Sequence, residues 1–138
     1  MANSSIIVEE ARKYLGVRWK HQGRSLNGVD CLGLVARVYG DLGLIDVSKD
    51  RHNYARLPNR QQLAAEFEAA GFIAKSVINS EAGNVVLFKQ GVYPCHCAII
   101  TFKNRVKHII HAYAPRKKVI EEPYSYFEQD AMHCFEVK

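Results

Sequence analysis

Apolar residues recur at helical spacing along the first half of the chain and alternate along the second half. Ile7, Ala11, Tyr14 and Leu15 share one face of a helix predicted over about 5–15, and Gly16 follows as its stop. A loop with Gly23 and Gly28 comes next. A second helix begins at Cys31, because Cys31, Leu34, Val35, Val38 and Leu42 keep the spacing of a buried stripe. Asp30 stands where a side-chain oxygen can cap the first turn, and Gly43 where a helix closes. Asn59 and Gln62 have capping-box spacing and predict a third helix. Leu63, Phe67 and Ala70 form its inner face, and Gly71 ends it.

Strand patterns follow over 72–77, 84–88, 96–102, 106–113, 119–121 and 134–137. The connections are short, so the strands pair as an antiparallel sheet. Helices first and strands later imply an α+β fold, with N-terminal helices packed on a central sheet. A length of 138 residues fits one domain spanning 1–138. Tyr39, Phe67, Phe72 and Phe88 read as core.

Composition narrows the classes. Hydrophobic residues make up 48% and charged residues 24%, which supports a folded core and argues against disorder. The net charge of +5 favours polyanions: nucleic acid, an anionic membrane surface or an acidic wall polymer. Nucleic acid is the weakest of these, because the basic residues form no aromatic-studded stripe. No apolar stretch is long enough to insert in a membrane. The N-terminus lacks the basic start and apolar run of a signal peptide. The expectation is a protein made in the cytoplasm.

Four cysteines are present: Cys31, Cys95, Cys97 and Cys134. A chain of this size without a secretory signal does not need disulfides, so free thiols are expected. Cys95 and Cys97 flank His96, yet zinc needs a second pair of ligands at tight spacing. Cys31, His108, His111 and Cys134 are too scattered to supply it. No metal or other cofactor is expected.

The candidate chemistry begins at Cys31. A cysteine in the first turn of a helix faces unpaired amides and the positive end of the helix dipole. Both favour the thiolate, which is the nucleophilic form. Gly33 keeps one side of that turn bare, as if for close approach of a substrate. Next, His96 begins a strand, and a second strand returns after a turn near Lys103 and Asn104. An even-numbered loop there sets His96 directly opposite His111 on one sheet face, with His108 opposite Ile99 on the other. An odd loop puts His108 on the face of His96 instead. Two paired histidines suit a relay in which one takes the thiol proton and the other orients it. Alternation puts Cys95 and Cys97 on the face away from His96, as packing residues. His52 and His133 read as surface or packing residues.

These residues resemble a known family. Asp30-Cys31-Leu32-Gly33-Leu34-Val35 looks like the nucleophile motif of the NlpC-type papain-like cysteine peptidases. Gly83-Asn84-Val85-Val86-Leu87-Phe88 is similar to their Gly-Asp-Leu-Val-Phe-Phe strand, with Asn84 in place of aspartate. His96-Cys97-Ala98-Ile99-Ile100 is similar to their His-Val-Gly-Ile strand, and Ile110-His111-Ala112 to their Ile-His-Ala. The segment 16–31 and the close of the chain are most similar to the phage-associated branch.

The resemblance implies a papain-like domain in which Cys31 is nucleophile, His96 base and His111 the third polar residue. It implies an endopeptidase that cuts peptidoglycan stem peptides next to D-glutamate linked through its side-chain carboxyl to a diamino acid. It also implies a place at the cell wall, reached as a tail component of a virion or prophage particle alongside other tail proteins. Trp19 stands where the family usually has a tyrosine, and indole supplies one N–H donor and no acceptor. His21 and Gln22 are candidates to take that role. Asp30, Trp19, His21, Gln22 and Arg24 are candidate substrate or oxyanion residues, with Arg24 suited to a substrate carboxylate. Two rival readings stay open: an amidase or acyltransferase on another amide, and a tail or wall-binding module with weakened catalysis.

Overall fold

Helix α1 (Ala2–Arg12) and helix α2 (Cys31–Asp41) lie on one face of a twisted sheet, joined there by the short helix α3 (Leu63–Ala69). The computed structural model describes residues 2–50, 63–90 and 93–137. Between α1 and α2 the chain forms a small hairpin, β1 (Arg24–Ser25) with β2 (Gly28–Val29). The main sheet comprises β3 (Ile73–Lys75), β4 (Val85–Gln90), β5 (Tyr93–Lys103), β6 (Val106–Tyr113), β7 (Lys118–Pro123) and β8 (Ala131–Glu136). Its order is β3-β8-β4-β5-β6-β7 and every pairing is antiparallel. This is the α+β architecture that the order of sequence patterns implies.

Alternation along β4 and β5 makes two cores. Val85, Leu87, Cys97 and Ile99 meet the helices, while Val86, Phe88, Ala98 and Ile100 meet Tyr124 and Phe127 on the other side. Helix α2 is anchored by its stripe: Leu34, Val35, Val38 and Tyr39 are all buried. Each such apolar side chain stabilises the packed state by roughly 1.5–3 kcal/mol. The Tyr39 hydroxyl donates to the Gly83 carbonyl, which ties the back of α2 to the start of β4.

Several boundaries differ from the sequence expectation. Helix α1 ends before Tyr14, where bonds of i to i+3 type tighten the chain and leave Leu15 exposed. The capping pair Asn59 and Gln62 lies outside the described residues. The strand expected over 72–77 is shorter because Val77 opens a 3-10 turn. The turn between β5 and β6 falls at Asn104 and Arg105, both left-handed with φ of 53° and 66°. That is the two-residue hairpin geometry whose twist matches its strands. It lies one residue later than the expected turn, so Thr101 pairs with His108 and Ile99 with Ile110. His96 and His111 are therefore diagonal neighbours rather than directly opposed, and the even loop keeps them on one face.

Candidate active site

The nucleophile helix is held at its mouth by Asp30. Its backbone is extended (φ −99°, ψ −172°), and its carboxylate accepts the Gly33 amide at 2.8 Å. The other oxygen accepts the Gln22 amide at 2.8 Å, so one side chain joins helix and preceding loop. Gln22 takes a left-handed φ of 61° there. With Gly33 capped and Leu34 bonded to the Asp30 carbonyl, the Cys31 and Leu32 amides have no intrahelical partner.

Gly33 does not open the turn to a substrate, as the sequence suggested. A methyl group there would overlap the Gly23 carbonyl oxygen and crowd the Arg24 guanidinium. The bare face accommodates the chain's own loop. Arg24 itself is bound within the protein, at 12% side-chain exposure. Its fork gives Asp50 two hydrogen bonds of 2.7 and 2.9 Å, and Nη1 reaches Asp30 at 3.1 Å. A substrate carboxylate would have to displace Asp50 to reach it.

Cys31 is half-buried and packs against the helical core. Hydrogen bonds from Cys97 and then His96, with the charge of His96, hold its pKa well below the ordinary thiol value. Burial and the charge of Asp30 act in the opposite direction without prevailing. Cys97 follows alternation in facing away from His96, but that places it on the side of Cys31.

The ladder between β5 and β6 ends at Ile99 and Ile110. Beyond it His96 and His111 meet on the same face of the sheet. His96 Nε2 lies 2.8 Å from His111 Nδ1. The far nitrogen of His111, Nε2, lies 2.8 Å from Glu122 Oε2. Glu122 Oε1 accepts from Arg116 Nε at 3.2 Å and Nη2 at 3.1 Å. The His111 ring stacks on Tyr113, with centroids 4.8 Å apart, and meets the edge of Phe127. Burial, followed by the charges of His96 and Arg116, pushes the His111 pKa down to about 2.

The structure thus brings Cys31, His96, His111 and Asp30 together. Trp19 bridges to Val29, donates its backbone amide to the Lys117 carbonyl and stacks on His21 at 6.4 Å. It packs against the same core as Cys31. His108 turns to the other face, with Nδ1 near the Val106 carbonyl, and His133 stacks on Phe135. His52 lies outside the described residues. Glu122, Asp50 and the thiol contact of Cys97 were not foreseen. Extending the diagonal step from His96 and His111 onto the next strand would have found Glu122. Among the described residues, no cluster of His, Cys, Asp and Glu side chains is placed to hold a metal ion. No helix among them is long and apolar enough to cross a membrane.

The sequence matches the NlpC/P60 family over residues 16–136, and the chain belongs to that family. No curated protein sequence matches it. Among solved structures, it is similar to the NlpC/p60 domain of the peptidoglycan hydrolase SagA. The identity is 24%, with 96% of this chain and 97% of that one covered, at a TM-score of 0.67. It is also similar to an N-acetylmuramoyl-L-alanine amidase from Bacteroides uniformis, at 12% identity, full coverage of both chains and a TM-score of 0.73. An NLP/P60 family protein from Staphylococcus aureus, similar to a lipoprotein, gives 22% identity and a TM-score of 0.68. That match covers 99% of this chain and 41% of the longer protein. These likenesses show the papain-like fold.

Proposed function

We propose that the protein is a cysteine endopeptidase that hydrolyses amide bonds in peptidoglycan stem peptides, of the D-glutamyl–diamino acid type. One observation carries the reading. A thiol at a helix N-terminus has its pKa lowered by the neighbouring His96, and His96 Nε2 is hydrogen-bonded to the buried His111.

The chemistry follows from that chain. With Nε2 engaged by His111, Nδ1 is the nitrogen of His96 left to face the thiol. The Cys31 thiolate attacks the amide carbonyl, and the resulting oxyanion is met by the Cys31 and Leu32 amides. His96 gives its proton to the leaving amine. It then takes one from water, which attacks the thioester and releases the acyl product. Arg24 and Asp30 hold the helix mouth in place, and Trp19 and His21 wall the loop beside it.

Family membership and the peptidoglycan hydrolase among its structural likenesses support the substrate class. The family match over most of the chain supports one domain. Resemblance of 16–31 to the phage-associated branch supports a tail-borne enzyme delivered to the wall. Digestion of purified muropeptides by wild type and Cys31→Ala, with products identified by mass, tests the reading. Cleavage by wild type between D-glutamate and the diamino acid, lost in the variant, is the expected result. Equal turnover by both proteins removes Cys31 as nucleophile, and release of L-alanine from muramic acid reassigns the bond.

A further inference from the structure

We propose that Glu122 is a positioning residue that sets the direction of the proton chain from His111 through His96 to Cys31. The proposal deepens the cysteine-hydrolase reading and rests on it for its effect on rate.

The argument is one of donors and acceptors. A carboxylate only accepts, and a neutral imidazole has one N–H. Glu122 Oε2 lies against His111 Nε2, so the His111 proton must sit there. Burial favours the neutral ring, which agrees with the lowered pKa of His111. Nδ1 of His111 is then a lone pair, so the bond to His96 requires His96 Nε2 to donate. A neutral His96 holding its proton on Nε2 has a free lone pair on Nδ1, the form that can accept the thiol proton. When His96 is charged, the same direction persists, because Nε2–H still points at an acceptor.

The rest of the site fits this role. Glu122 is almost fully buried, and a buried carboxylate is costly unless both oxygens are paired. Oε1 is held by Arg116, which leaves Oε2 for His111 alone. Stacking on Tyr113 and contact with Phe127 fix the ring plane. The groups facing His111 are thus His96, Glu122, Arg116 and Tyr113, and Glu122 is the anionic acceptor among them. An amide in its place could donate or accept. His111 could then carry its proton on Nδ1 and oppose a charged His96.

The test compares wild type, Glu122→Gln and Glu122→Asp, using nitrogen NMR of the histidine rings and the pH profile of Cys31 alkylation. Wild type is expected to show His111 protonated on Nε2 across neutral pH. Glu122→Gln is expected to populate the Nδ1–H form and to move the onset of alkylation to higher pH. It should also lower kcat by about 10- to 100-fold with KM nearly unchanged. Glu122→Asp, which keeps an obligate acceptor, should recover part of kcat. An Nδ1–H tautomer in wild type overturns the proposal, as does an unchanged tautomer and alkylation profile in a folded Glu122→Gln. The NMR readout does not need turnover, so failure of Cys31→Ala to abolish cleavage would strike the hydrolase reading separately.

Discussion

Arg24 grips Asp50 through two parallel hydrogen bonds of 2.7 and 2.9 Å while its third arm touches the cap of the nucleophile helix. A residue 26 positions downstream is thereby tied to the mouth of the site. Lysine cannot reproduce a planar fork that binds two carboxylates. Arg24→Lys should therefore leave Asp50 and Asp30 poorly paired and cost about 2–4 kcal/mol. Thermal unfolding should show a fall in Tm on the order of 10 °C. A Tm unchanged from wild type would show that the bridge does not hold the loop.

Gly33 tests the same loop from the other side. A Cβ at this position would collide with the Gly23 carbonyl, which is backbone and cannot rotate away. Gly33→Ala should destabilise by about 3 kcal/mol and slow Cys31 alkylation by displacing the helix mouth. A variant as stable and reactive as wild type would mean that the loop has room to yield.

Cys97 adjusts the thiol. Its hydrogen bond is the largest influence lowering the Cys31 pKa. Cys97→Val fills the same space without a donor. The titration midpoint of Cys31, followed by alkylation rate against pH, should move upward. Rates at pH 7 should fall below wild type and converge with it in alkali. A midpoint that stays put would assign the lowering to His96 alone.

Acid stability should follow His111. Its pKa falls from an ordinary 6.5 when unfolded to about 2 when folded. Between those values the unfolded chain binds the extra proton. Stability is therefore retained above about pH 6.5 and is lost as pH falls through that window. The slope approaches about 1.4 kcal/mol per pH unit. Glu121, whose pKa is lowered by Arg12 and Thr101 against its burial, adds its own loss below the ordinary 4.5. Cys31, whose thiol pKa is also lowered, acts with the same sign above its folded pKa, so the histidine is isolated by comparison with His111→Asn. Denaturant unfolding from pH 6.5 to 5 should slope downward toward acid in wild type, and His111→Asn should flatten the curve.

Much of this site could be read from local patterns. The stripe from Cys31 to Leu42 fixed a helix and its buried face, and Asp30 before it marked the cap. The even-loop alternative placed His96 and His111 on one side of a sheet. The two-residue turn at Asn104 and Arg105 selected it, although that turn lay one residue later than expected. What stayed hidden depended on long-range partners. Arg24 read as an open loop cation because nothing local shows that Asp50 comes back to meet it. Gly33 read as open space because the Gly23 carbonyl reaches it only through the folded loop. Glu122 needed a third strand in register, and Cys97 needed the knowledge that the nucleophile approaches from the helical side.

The most direct test of the thiol relay is iodoacetamide labelling at pH 6, with the modified cysteine identified by peptide mapping. Cys95, Cys97 and Cys134 serve as internal comparisons, and burial raises the Cys134 pKa to about 11. The prediction is rapid labelling of Cys31, with muropeptide cleavage falling in step. In His96→Ala that labelling should require alkaline pH. Label accumulating on another cysteine while Cys31 stays unmodified, or Cys31 reacting identically with and without His96, would contradict the relay.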